Sequence, residues 1–133
     1  MYEYWLDLHK KENFLILPVP IHQNRRKERK YNHMDLVADE LSKLTGYKNN
    51  KKFILRIKDT IKQFNLNKTQ RLQNIKNAFA INQNETIDKN ENLLIIDDIT
   101  STGITLEEII KLLKKNGYKK ITALTLSTPD IWN

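Results

Sequence analysis

Residues Asn92 to Gly117 read NLLIIDDITSTGITLEEIIKLLKKNG. An apolar run, Leu93 to Ile96, ends in the paired acids Asp97 and Asp98. Four hydroxyl residues then surround Gly103, and an amphipathic segment follows, in a chain with only three glycines. The apolar run has the length of a buried strand. The segment from Thr105 to Asn116 carries Leu106, Ile109, Ile110 and Leu113 at helical spacing, and Gly117 stops it. Thr105 and Glu108 match a capping box, which would start the helix at Thr105.

A strand that runs through a loop into a helix N-terminus is where α/β proteins bind phosphates, because free backbone N–H groups and the helix dipole face the anion. Gly103 permits a turn that a side chain would obstruct. Thr100, Ser101, Thr102 and Thr105 add hydroxyl donors. No Gly-Lys-Ser/Thr follows, so this is not a Walker loop, and a single glycine does not make a dinucleotide fingerprint. Two carboxylates at a strand end can accept hydrogen bonds from a vicinal diol and support Mg²⁺ through water. Phosphate and diol within one loop point to a phosphorylated ribose; the plainer alternative is a turn capped by two acids.

Working outward, the rest of the chain alternates strand and helix. NFLILPV, Asn13 to Val19, is a short apolar strand stopped by prolines. A helix follows with Met34, Val37, Ala38, Leu41 and Leu44 on its inner face, Asn32 as N-cap and Gly46 as stop. FILRI, Phe53 to Ile57, is the second strand. A loop from Lys58 to Lys68, a short helix from Thr69 to Asn77 and a small extra strand at AFAI come next. KITALTL, Lys120 to Leu126, is the last strand. This order predicts one α/β domain over residues 1–133, with a mostly parallel twisted sheet flanked by helices.

Composition bounds the function. With 133 residues the chain can bury a real core. It contains no cysteine, so it has neither disulfides nor thiolate metal sites, and its three histidines are scattered. No run is long and apolar enough for a membrane span, and the start lacks the apolar stretch of a signal peptide, which predicts a cytoplasmic protein. Residues 1–83 hold 17 Lys/Arg against 8 Asp/Glu, whereas residues 84–133 hold 6 against 8. The basic part includes RRKERK, Arg25 to Lys30, a cluster that attracts phosphate in a small ligand or in nucleic acid.

LLIIDDITSTGIT resembles the 5-phosphoribosyl 1-diphosphate (PRPP) loop of type I phosphoribosyltransferases: an apolar strand, two acids, then T-x-T-G-x-T. PVPIHQNRRKERKYNH resembles the P-V-P-L-H and R-x-x-x-R-G-F-N-Q segments of the ComF family, associated with DNA uptake in natural competence. RIKDTIKQFNLNKTQRLQNIKNAF resembles that family's R-x-x-x-T-x-x-Q-x-x-L segment and the R-x-x-N run after it. The resemblance covers nearly everything from Phe14 to Ser127. It implies a type I phosphoribosyltransferase-like fold, here without a separate hood domain. It also implies that Asp97 and Asp98 face the ribose hydroxyls, with Mg²⁺ held through water, and that Thr100, Ser101, Thr102, Gly103, Ile104 and Thr105 hold the 5-phosphate. Arg25 and Arg29 would contact the diphosphate, as paired guanidinium donors suit it. Thr60, Gln63 and Arg71 would belong to a mobile loop over the site.

The chain departs from the family pattern at Lys30, where glycine is usual, and at His33, where glutamine is usual. Only 13 residues precede Phe14, so neither the family's zinc ribbon nor bound zinc is expected, and an uncovered sheet face would favour a dimer or a partner. Ser101 stands where relatives acting on hydroxypurines carry aspartate, which argues against that chemistry. No residue stands out as a general base, so catalytic roles stay open. The expected ligand is PRPP or a related ribose 5-phosphate. Single-stranded DNA and a competence helicase or another DNA-uptake protein are the macromolecular partners to expect.

Overall fold

In a computed structural model of the chain, residues 13–20, 33–58, 67–98 and 103–126 are described. Among the described residues nine elements occur, in chain order: β1 (Leu15–Pro18), α1 (His33–Thr45), β2 (Lys48–Asn49), β3 (Ile54–Arg56), α2 (Lys68–Ile75), β4 (Phe79–Ile81), β5 (Leu93–Asp98), α3 (Ile104–Lys115) and β6 (Ile121–Leu126). Four strands form a parallel sheet in the order β2-β1-β5-β6. The amide of Val19 donates to the carbonyl of Ile96 over 3.0 Å and carries the β1–β5 pairing one residue past β1.

Successive side chains on a strand point to opposite faces, so a strand buried on both sides must be apolar throughout. Leu93, Leu94, Ile95 and Ile96 are all fully buried. Leu93 and Ile95 join Leu17, Leu106, Ile109 and Leu113 on the face covered by α3. Leu94 and Ile96 join Ile16, Met34, Val37, Ala38 and Leu41 on the face covered by α1. β5 is therefore the spine of two cores.

The strand expected at Phe53 to Ile57 does not join the parallel sheet. β3 pairs antiparallel with β4 in a separate two-stranded sheet, with Arg56 opposite Phe79 and its guanidinium carbon 5.4 Å from that ring's centroid. The place beside β1 is taken by Lys48 and Asn49, a pair with no apolar signature. Side-chain anchoring explains this choice. The amide Nδ2 of Asn49 donates to Ser42 Oγ at 2.8 Å and to Asp39 Oδ1 at 3.2 Å, tying β2 to α1. Phe53 and Ile54 instead bury their side chains in the α3-side core.

Two further expectations are corrected. Leu44 is 51% exposed. It lies at the rim of the stripe centred on Met34, Ala38 and Leu41, in the last turn of α1. The Thr105–Glu108 capping box does not form: Gly103 is the N-cap, in the left-handed region at φ 82°, with no side-chain cap bond. Thr105 is buried, and Glu108 accepts the Asn77 amide at 3.2 Å instead. The far end of α3 follows the glycine rule. Gly117 donates to Lys114 O and Tyr118 to Leu113 O, each at 3.1 Å, a Schellman closure.

Candidate functional site

The chain leaves β1 through α1 to β2 on one side of the sheet and leaves β5 through α3 to β6 on the other. Connections that diverge from two adjacent strands open a crevice at their carboxyl ends, the place where open α/β sheets bind ligands. Asp97 and Asp98 end β5 at that edge.

The two acids are held differently. Asp97 is buried, and its Oδ1 accepts the Asp98 backbone N–H at 2.8 Å. By the alternation of β5, Asp97 belongs to the α3 face and Asp98 to the α1 face, beside its register partner Leu126. There His33, the first residue of α1, places its Nε2 3.5 Å from Asp98 Oδ2. The adjacent pair in the sequence thus becomes two carboxylates with separate surroundings.

The helix start leaves backbone donors without intrahelical acceptors. Glu107 N–H to Gly103 O, at 3.0 Å, is the first bond of α3, so the amides of Ile104, Thr105 and Leu106 precede any intrahelical acceptor. A Cβ at Gly103 would meet nothing within 4 Å, so its glycine is required by backbone conformation and not by crowding.

Of the expected site residues, the structure brings Asp97, Asp98, Gly103, Ile104 and Thr105 to one edge of the sheet. Thr100, Ser101, Thr102, Arg25, Arg29, Thr60 and Gln63 lie outside the described residues, and Arg71 falls in α2 with its side chain outside them. His33 is the residue whose place the sequence did not reveal. The available signal was its position: a helix that follows a parallel strand starts near the carboxyl edge of the sheet.

Among the described residues no group of three His, Cys, Asp or Glu side chains could cage a metal. Two carboxylates suit Mg²⁺ in another way, since that ion keeps its waters and is commonly held by one or two acids together with substrate phosphates. A cavity of about 450 Å³ opens at the opposite edge, lined by Phe14, Lys48, Asn50, Thr86 and Asp88 among others. Its polar groups are partly engaged already, Asn50 Nδ2 donating to Glu85 Oε1 at 3.0 Å. No described helix is long and apolar enough to cross a membrane.

Residues 34–129 match the family model described as phosphoribosyl transferase domain. The chain is 38% identical over 110 residues to Competence protein F of Haemophilus influenzae, covering 80% of this chain and 46% of that protein. It is 33% identical over 102 residues to DNA utilization protein YhgH of Escherichia coli, covering 77% of this chain and 44% of the relative. A shorter match, 38% over 48 residues, is to an adenine phosphoribosyltransferase of Shewanella woodyi, covering 35% of this chain and 26% of that enzyme. The chain spans less than half the length of these curated relatives. No solved structure gives a significant match. A doubly wound sheet with acids and a glycine-capped helix at its switch point, a matching domain model and these relatives agree: the chain belongs to the phosphoribosyl transferase domain family, as a ComF-type member.

Proposed function

We propose that this chain binds PRPP with Mg²⁺ at the carboxyl edge of β5, in a protein that serves DNA uptake. The observation that carries the reading is the pairing of two acids at the end of β5 with a glycine-capped helix start on the same edge. The acids suit the ribose diol, and the α3 amides that precede any intrahelical acceptor suit the 5-phosphate. Arg25 and Arg29 belong to the chain that joins Pro20 to His33, and both of those residues sit at this edge. Their role is contact with the diphosphate. Mg²⁺, held through water by Asp97 and Asp98, would supply charge neutralisation at the diphosphate. The protein's own contribution is positioning and electrostatic preorganisation, which suffice for transfer chemistry when donors face the developing charge.

The DNA-uptake role is supported by the names of the relatives, Competence protein F and DNA utilization protein, and by the excess of 17 Lys/Arg over 8 Asp/Glu in residues 1–83. These also favour a second reading, in which the fold is a scaffold that binds single-stranded DNA and works beside a DNA-uptake helicase. Nucleobase salvage is the third reading, favoured only by the short adenine phosphoribosyltransferase match.

Calorimetry with PRPP and Mg²⁺ tests the first reading. Saturable binding that Asp98→Asn weakens supports it, and no heat at millimolar ligand contradicts it. Following diphosphate release from labelled PRPP in cell extract separates an enzyme from a binder. DNA affinity that falls steeply with salt and with Arg25→Ala/Arg29→Ala would favour the scaffold.

A further inference from the structure

We propose that His33 is a positioning residue for the Asp98 carboxylate and thereby sets a preference for ribose over 2-deoxyribose. The inference rests on the ribose-phosphate reading of this edge. It goes beyond that reading by giving a role to a residue at which the chain departs from the family pattern.

The two acids need different supports because they leave β5 on opposite faces. Asp97 is oriented locally, by the backbone N–H of its neighbour. Asp98 is met by a side chain from another element: His33 Nε2 lies 3.5 Å from Asp98 Oδ2, with the side chains only 13% and 20% exposed. Nε2 itself is buried and makes no hydrogen bond with any described residue. A small rotation of either side chain would turn this close approach into a charge-assisted bond. Site geometries commonly tighten in this way when ligand arrives.

Imidazole suits the task. It has two rotatable bonds, and its Cα is fixed at the first position of a 13-residue helix. Holding one carboxylate oxygen fixes the plane in which the other lies. A vicinal diol needs that definition, because two hydroxyls on adjacent carbons must both find acceptors. A 2-deoxyribose offers only one of them and gains little from an oriented carboxylate. His33 would therefore act on the sugar's hydroxyl pattern and not on the phosphate.

The test is calorimetry of the whole chain with ribose 5-phosphate and with 2-deoxyribose 5-phosphate. The wild type should prefer the ribose form. His33→Leu should lose about tenfold in ribose 5-phosphate affinity with the deoxy affinity unchanged. His33→Gln, which keeps an N–H donor, should retain the preference. In an Asp98→Asn background the His33→Leu change should have no further effect. An unchanged preference in His33→Leu, or an equal loss for both sugars alongside a lower Tm, would overturn the role of His33 while leaving the pocket intact. A wild type that binds neither sugar would remove the pocket itself.

Discussion

The backbone N–H of Asp98 donates to the side-chain Oδ1 of Asp97 over 2.8 Å, so one acid of the pair is structural support for the position of the other. Substitutions at Asp97 should therefore separate by whether they keep the acceptor. Asp97→Asn keeps an oxygen acceptor and should change stability by less than about 1 kcal/mol. Asp97→Ala removes the acceptor in a buried position and should cost about 1–3 kcal/mol. Urea unfolding of the two variants checks this. Equal costs would show that the bond does not matter to the strand end.

Gly103 adopts φ 82° with open space where a Cβ would stand. Replacing it with alanine should therefore produce only the penalty of the left-handed conformation, about 1–2 kcal/mol. Thermal unfolding measures the loss. A cost near zero would mean that the turn rearranges without consequence.

Tyr118 closes the α3-side core. Its hydroxyl donates to Ile87 O at 2.7 Å, and its ring meets Phe53 edge-on with centroids 5.7 Å apart. Tyr118→Phe keeps the ring contact but leaves a carbonyl without that donor, at about 1–2 kcal/mol. Phe53→Ala empties a fully buried site and should cost about 3–5 kcal/mol. Chemical denaturation gives both values, and the reverse ranking would contradict the packing described here.

Lys51 Nζ lies 2.9 Å from Asp39 Oδ2, with side chains 38% and 41% exposed. Despite the short distance, water screens the pair and both side chains lose rotational freedom in making it. Lys51→Ala should shift stability by less than about 1 kcal/mol. A larger loss would mean that the bridge anchors β2 as firmly as Asn49 does.

The sheet's spine was legible because burial on both faces demands an unbroken apolar run, and LLII supplies one. The helices were legible from spacing: Met34, Val37, Ala38 and Leu41 lie inward in α1, as do Leu106, Ile109 and Leu113 in α3. β2 was not legible, because Lys48 and Asn49 enter the sheet through asparagine side-chain bonds and not through hydrophobicity. The pairing of β3 was not legible for a related reason. Phe53 and Ile54 look like any buried strand, and only the neighbouring β4 decides that they leave the parallel sheet. In the candidate site, the acids and Gly103 stood out by residue type. The contact of His33 with Asp98 depends on where a helix start meets a strand end, and no local pattern encodes that.

The proposed function puts a ribose phosphate where β5 gives way to α3. The chain's three glycines provide a direct reading, because their amide signals fall in a distinct region of a ¹H–¹⁵N spectrum. Gly103 caps the proposed phosphate site, whereas Gly46 follows α1 and Gly117 follows α3, both at the far edge of the sheet. Titration with ribose 5-phosphate should shift the Gly103 signal saturably and leave the other two in place. A Gly103 signal that stays still at saturating ligand, or shifts confined to Gly46 and Gly117, would contradict the account.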